Sequence, residues 1–463
     1  MSTARTVDLN AAIERIGIGR LAIFVIVMAF LMMMGDGYDF GTLAVAAPSI
    51  LKEWHLSPKS MGIVFSVTFF GLLVGSLFYG WMSDRIGRRF TIIFGTFNFG
   101  IPILLTVWAS SIQELMVLRF IGGIGMGGVV PIAYTLVSEY APRRMRSTVT
   151  VITNAGYTVG ATCSGLVAAQ TLATFGWHPL FFVGGLFSLV LAVVLIALLP
   201  DSILHIATTS PTSPKLLPLA RRLLPGETLD SSTRFVARDP QEEHGTPGRA
   251  GFLQLFAGPR AGATILLWAL FLFDAISLFF LASWLPYVMR EAGASVATAS
   301  LTHSMFTFAG LIGGFAIMRF LDRIGPIAVV VLPIVGGLSE IAMGWPGIGE
   351  STLLVAAGLA GLALGGVHHA VYAVAVRFYP PSVRGSGLSY ATVWGRIGGI
   401  IAPTVGGYFL ATHMPLQELM ILAAVPCIAV AVVSVLLGGL YRRSFDTPAT
   451  DLDAVPAGST AAE

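Results

Sequence analysis

The sequence predicts an all-α membrane protein of twelve transmembrane helices in two pseudo-symmetric six-helix bundles. Two observations carry this. Of 463 residues, 55% are hydrophobic and only 11% charged, with a mean hydropathy of +0.81. A soluble domain carries about 25% charged residues, so this chain has too few to cover a wet globule, and lipid must be its solvent. The second observation is an internal repeat. Asp84-Arg85-Ile86-Gly87 recurs as Asp322-Arg323-Ile324-Gly325, and the same offset maps Asp36, Pro142 and Arg146 onto Asp274, Pro380 and Arg384. It also maps Gly123, Gly127 and Gly128 onto Gly361, Gly365 and Gly366. Parallel repeats of membrane helices are a common way to build secondary transporters.

A crossing needs about 20 apolar residues. Twelve stretches qualify: 21–48, 61–82, 90–109, 114–137, 148–172 and 178–199, then 263–287, 298–318, 327–345, 352–376, 386–411 and 416–440. The predicted organisation is a first bundle over 1–199, a cytoplasmic linker over 200–262, a second bundle over 263–441 and a tail over 442–463. The linker is rich in Pro, Ser, Thr and Arg, with a short surface helix expected around Leu216 to Leu224. The first apolar run outlasts a cleaved signal core, so no signal peptide is expected.

Of the 27 Lys and Arg, Lys52, Lys59 and Arg290 fall on one side, Arg119 and Arg396 lie inside spans, and all the others fall on the opposite side. That side is predicted cytoplasmic, with both termini inside. The net charge of +3 therefore reports topology. With no clustered basic face or recognition module, nucleic acid is not an expected partner. Cys163 and Cys427 fall within spans and make no disulfide framework. None of the three lysines follows a glycine, so the phosphate-cradling GxxxxGK[ST] loop is absent. No cofactor is expected, and uphill work would come from an ion gradient or a separate ATPase subunit. The wet loops hold no nucleophile–base–orienter set, which argues against an enzyme.

An ionised side chain in mid-membrane costs about 2.5–3.5 kcal/mol on insertion scales and is a functional candidate by default. Asp36, Asp39, Arg119, Asp274 and Arg396 are such residues, with Glu340 nearer a span end. Asp36 and Asp39 are three apart, on one face of the first span, among Gly35, Gly37 and Gly41. Two carboxylates this close do not both ionise readily in a dry site, which suits a proton carrier. Arg119 is the expected counter-ion. Arg396 offers a planar fork for a substrate carboxylate, with Trp394 near in sequence. His303 and His368 lie in spans and are candidates to contact substrate or relay protons. The adjacent His368 and His369 point apart on a helix, which argues against a metal site. Asp274 is left open between substrate, proton and packing.

The Asp84 turn is predicted to gate. Gly87 permits a tight turn, Asp84 can accept from helix-end amides, and Arg85 and Arg88 can reach carboxylates such as Glu139. Asp322 and Arg323 repeat the device, giving latches that open with the cytoplasmic side.

These turns, and the Arg119-Phe-Ile-Gly-Gly run, resemble the signature motifs of the major facilitator superfamily. Within it the chain resembles the aromatic acid:proton symporters, through Asp36-Gly37-Tyr38-Asp39, Val45-Ala46-Ala47-Pro48-Ser49-Ile50, Ser138-Glu139-Tyr140-Ala141-Pro142, Ser283-Trp284-Leu285-Pro286 and Gly395-Arg396-Ile397-Gly398. The resemblance covers nearly the whole chain outside the linker. It implies the major facilitator fold and proton-driven uptake of a small aromatic carboxylate (hydroxybenzoate-, gentisate- or protocatechuate-like) across a bacterial inner membrane; the chain is expected to work as a monomer. It implies coupling through Asp36 and Asp39 and a substrate role for Arg396, with Tyr38 a further substrate candidate. The chain departs at Asp274, where relatives are expected to be small or apolar, and near His368, where a glutamine is expected. The alternatives are a proton-linked carrier or exporter of another organic acid, or a membrane sensor of the same fold that does not transport.

Overall fold

The computed structural model describes residues 6–224, 227, 229–230, 233–237, 252–256, 260–379 and 381–444. The chain opens with a strand, β1 (Thr6–Asp8), and a short helix, α1 (Leu9–Ile16), capped by the Asp8 carboxylate. Six long helices follow: α2 (Arg20–Glu53), α3 (Pro58–Ile86), α4 (Arg88–Leu105), α5 (Ile112–Glu139), α6 (Arg146–Phe175) and α7 (His178–Leu198). Two short helices, α8 (Ile203–Thr209) and α9 (Leu216–Leu223), and a strand, β2 (Arg234–Val236), lead to the second set. That set comprises α10 (Arg260–Glu291), α11 (Val296–Ile324), α12 (Val331–Met343), α13 (Glu350–Phe378) and α14 (Pro381–Ala411). The last crossing is shared by α15 (Leu416–Ala423) and α16 (Val425–Ser444).

Local chemistry sets the helix ends. Ser111 and Ser295 accept from the amides of Glu114 and Thr298, and Pro58 opens α3. The repeated tetrapeptide makes the same turn twice, with Gly87 at φ +102° and Gly325 at φ +71°. Only glycine takes such angles without strain.

Packing repeats as the sequence does. In the first half α2 lies on α6, α3 on α5, and α4 on α5 and α7; in the second α10 lies on α14, α11 on α13, and α12 on α13. Across the halves α3 meets α14 and α6 meets α11, a pair of contacts that the repeat exchanges, while α2 meets α10. Glycines bring the backbones together. A Cβ on Gly127 would lie 2.1 Å from the Leu72 carbonyl oxygen, and one on Gly361 would lie 2.1 Å from that of Phe306. Gly127→Val is therefore expected to part α5 from α3 and cost about 1–3 kcal/mol. Thermal unfolding in detergent checks this, since an unchanged midpoint would mean that the helices separate freely.

Ten of the helical segments are long and apolar enough to cross a membrane by length and composition. The two other long helices among the described residues, α6 and α14, occupy equivalent places in the repeat. Both carry many Ser and Thr, and both face the opposite half. Their polarity fits helices that line the interior.

Part of the stretch read as a linker is folded against the first half. β2 pairs parallel with β1, with Val7 opposite Phe235. α9 forms where a surface helix is expected, and buries Leu216, Leu219 and Leu223. Tyr140 donates to the Asp201 carbonyl at 2.7 Å, and Lys215 reaches the Asp201 carboxylate at 3.4 Å. Most of 225–259, and the tail beyond 444, lie outside the described residues.

Candidate functional site

The two aspartates of α2 have different surroundings. Asp39 and Arg119 are almost fully buried, and one guanidinium nitrogen donates to both carboxylate oxygens, at 2.8 and 2.9 Å. The other terminal nitrogen donates to Thr106 Oγ1 at 2.9 Å, and the guanidinium carbon lies 5.2 Å from the Phe181 ring centre. The expected counter-ion is thus in place, held wholly within the first half. Asp36, one turn earlier, is buried with the Tyr134 and Tyr157 phenols close enough to feel its charge. Among the described residues no cation within salt-bridge distance of Asp36 is found, so the two acids stand in different electrostatic settings.

In the second half Asp274 is buried, and its carboxylate lies 2.8 Å from His368 Nδ1. Ser277 stands where the repeat would place a counterpart of Asp39: its Oγ contacts Cys427 Sγ at 3.4 Å, and that thiol reaches Glu340 Oε2 at 3.6 Å. Glu340 lies fully inside the bundle.

Between the halves lies an aromatic cluster that hydropathy alone does not single out. Phe69 and Phe279 have ring centres 4.7 Å apart, and Phe40 lies 5.8 Å from Phe69, 6.1 Å from Phe279 and 6.2 Å from Tyr157. Phe279 contacts His368 at 5.9 Å, and His368 contacts Tyr372 at 5.8 Å. The rings come from α2, α3, α6, α10 and α13, so both halves contribute. Arg396 of α14 hydrogen-bonds Ser76 across the halves, with Tyr372 near enough to interact with its charge. Gly399, one turn from Arg396, fits under the Phe69 ring. The Arg396 backbone thus stands about one helical turn from Gly399 and the Phe69 ring, and its guanidinium reaches on to Ser76, about two turns along α3 from Phe69.

The other sequence candidates are placed differently. Trp394 stacks on Trp268 at 5.7 Å, in a cluster with Tyr390 and Phe252, and does not share the space beside Arg396. Two residues along a helix is a turn of about 200°, which sends the two side chains apart. Tyr38 packs against Gly184 of α7, inside the first half. His303 is fully buried, its Nε2 set against Gly41 of α2.

At the Asp84 turn, Arg88 Nε lies 3.2 Å from Glu139, which also accepts from Ser202. Arg88 further donates to His205 Nδ1, which requires neutral imidazole. Burial first, and the Arg88 charge second, hold the His205 pKa below its ordinary value. Asp84 lies near enough to His205 to interact with it, and Arg85 lies over the Trp81 ring of its own helix at 4.6 Å. The bonds of this latch therefore join α4 to α5 and α8, all on one half. Arg323 is exposed, and the Asp322 side chain lies outside the described residues.

On the side of residues 54–57 and 292–295 the halves are in close contact. Ser66 bonds to Thr404 Oγ1 at 2.6 Å and to the Ile400 carbonyl, Thr162 bonds to Thr307 at 3.1 Å, and Trp284 stands edge-on to Phe65.

The chain matches the Major Facilitator Superfamily over residues 25–280 and again over 267–457. It is 31% identical over 422 residues to the 4-hydroxybenzoate transporter PcaK of Pseudomonas aeruginosa, covering 91% of this chain and 93% of that protein. It is 30% identical to a gallate transporter of Pseudomonas putida, covering 96% and 97%. Among solved structures, the inward-open xylose transporter XylE from E. coli superposes with a TM-score of 0.68 at 16% identity, covering 90% of this chain and 95% of that one, which bears on the fold alone. With its doubled helical repeat, these matches place the chain, a multi-pass membrane protein, in the aromatic acid:proton symporter family of the Major Facilitator Superfamily.

Proposed function

We propose that the chain imports small aromatic carboxylates across a bacterial inner membrane, driven by protons, as a monomer with cytoplasmic termini that works by alternating access. The observation that carries this reading is the aromatic cluster of Phe40, Phe69 and Phe279 between the halves, with Arg396 bonded to Ser76 further along the same α3–α14 seam. A benzenoid ring fits edge-on or offset among such rings, each pair worth about 0.5–1.5 kcal/mol beyond burial. A carboxylate fits the guanidinium, displacing the Ser76 hydroxyl. The names of the relatives, a 4-hydroxybenzoate and a gallate transporter, support the same substrate class.

Asp36 is the acid suited to bind the driving proton, since an unpaired carboxylate in the membrane interior is costly. The Asp39–Arg119 pair holds α2 to α5 beside it. The tight seam along α3–α14 and α6–α11 supports a conformation closed on the outer face and releasing towards the cytoplasm. Opening would part that seam while Arg88, Glu139 and α8 move as one body with the first half. Purified protein in liposomes is expected to accumulate labelled 4-hydroxybenzoate when the inside is alkaline, and to lose that accumulation when a protonophore is added. Equal uptake with and without the proton gradient would refute proton drive, and no uptake of any aromatic acid would refute the substrate class.

A further inference from the structure

We propose that the Asp274–His368 pair is a second proton site, separate from Asp36, so that each aromatic monoanion crosses with two protons and one net positive charge. This rests on the transport reading above and adds the stoichiometry. Asp274 occupies the place in the second half that Asp36 occupies in the first. It is 3% exposed, and its carboxylate bonds to His368 Nδ1 at 2.8 Å. The His368 side chain is 29% exposed, and its ring abuts the aromatic cluster through Phe279. One partner is thus locked in the bundle while the other reaches the space between the halves, as a proton-binding pair needs.

The surrounding groups leave the pair as the local centre of charge. From α13, His369 bonds to the Gly365 carbonyl at 2.7 Å, and Tyr372 packs on the His368 ring. From α12 and α16, Glu340 and Cys427 contact each other and reach Ser277, one turn from Asp274. Arg396 of α14 is the nearby cation, and it bonds to Ser76. A proton arriving from water in the gap binds the imidazole, and the pair becomes imidazolium with carboxylate, neutral overall. When the proton leaves to water on the other side, Asp274 keeps a negative charge near the Arg396 carboxylate site. Like charges disfavour each other there, so the anion binds well only while the pair is protonated. That preference couples the second proton to substrate.

The experiment measures 4-hydroxybenzoate accumulation in liposomes at fixed pH difference, with the membrane potential set by potassium and valinomycin. One proton per monoanion moves no net charge and makes accumulation indifferent to potential. Two protons make it rise up to roughly 50-fold per 100 mV, inside negative. We expect the wild type to respond to potential, and Asp274→Asn and His368→Gln each to lose the response while still accumulating substrate on a pH difference. Two variants on different helices guard against one misfolding. A wild type indifferent to potential, or variants that keep its full response, would overturn the proposal. No accumulation by the wild type on any gradient would instead refute the transport reading beneath it.

Discussion

Asp36→Asn is expected to cut proton-driven accumulation of 4-hydroxybenzoate sharply, to no more than the second proton at Asp274–His368 sustains, while leaving the fold intact. Asp36 faces phenols and, among the described residues, no cation, so a neutral amide of the same shape replaces it without stranding a charge. Asp39→Asn is expected to cut accumulation as well, and also to lower stability. It leaves the Arg119 guanidinium buried without its anion, and breaking a buried pair in this way costs about 3–5 kcal/mol. The two variants thus separate in a melting experiment although both lose accumulation. Substrate exchange with no proton gradient is the informative control: Asp36→Asn should retain exchange if the residue carries only the proton. Full uphill accumulation by Asp36→Asn would remove this acid from the driving step.

Arg396→Ala is expected to raise the KM for 4-hydroxybenzoate uptake about 10- to 100-fold, from losing a charge-assisted contact worth roughly 1.5–3 kcal/mol. Lysine at this position should recover part of the affinity, since it keeps the charge and loses the planar fork. The measurement is the concentration dependence of initial uptake. An unchanged KM in Arg396→Ala would remove the guanidinium from the substrate site. Trp394→Phe is the matched control, because Trp394 stacks on Trp268 on another face of the same helix.

The parts of this molecule that follow from rare residues were readable before any coordinates. Charges are scarce in apolar spans, so Arg119 pointed to an acid of the first span, and the fold shows which: Asp39, 80 positions away. The doubled tetrapeptide announced two equivalent turns, and Gly87 and Gly325 adopt them. The aromatic cluster was not readable. The chain has 30 phenylalanines, and many, such as Phe70, Phe78 and Phe315, face outward. Hydropathy scores a lipid-facing ring and a gap-facing ring alike. Nearness in sequence did not place Trp394 beside the Arg396 side chain, because two helical positions diverge by about 200°. The Asp274–His368 contact joins helices 94 residues apart, and no local spacing encodes it.

The modest hydropathy of α6 and α14 has a consequence for how the protein is made. A segment with that many hydroxyls partitions weakly into lipid when it leaves the insertion machinery alone. Its best partner, however, is already waiting: α2 emerges before α6, and α10 before α14. The repeat therefore orders synthesis as well as shape, with each half supplying an apolar host strip before its most water-loving helix is born.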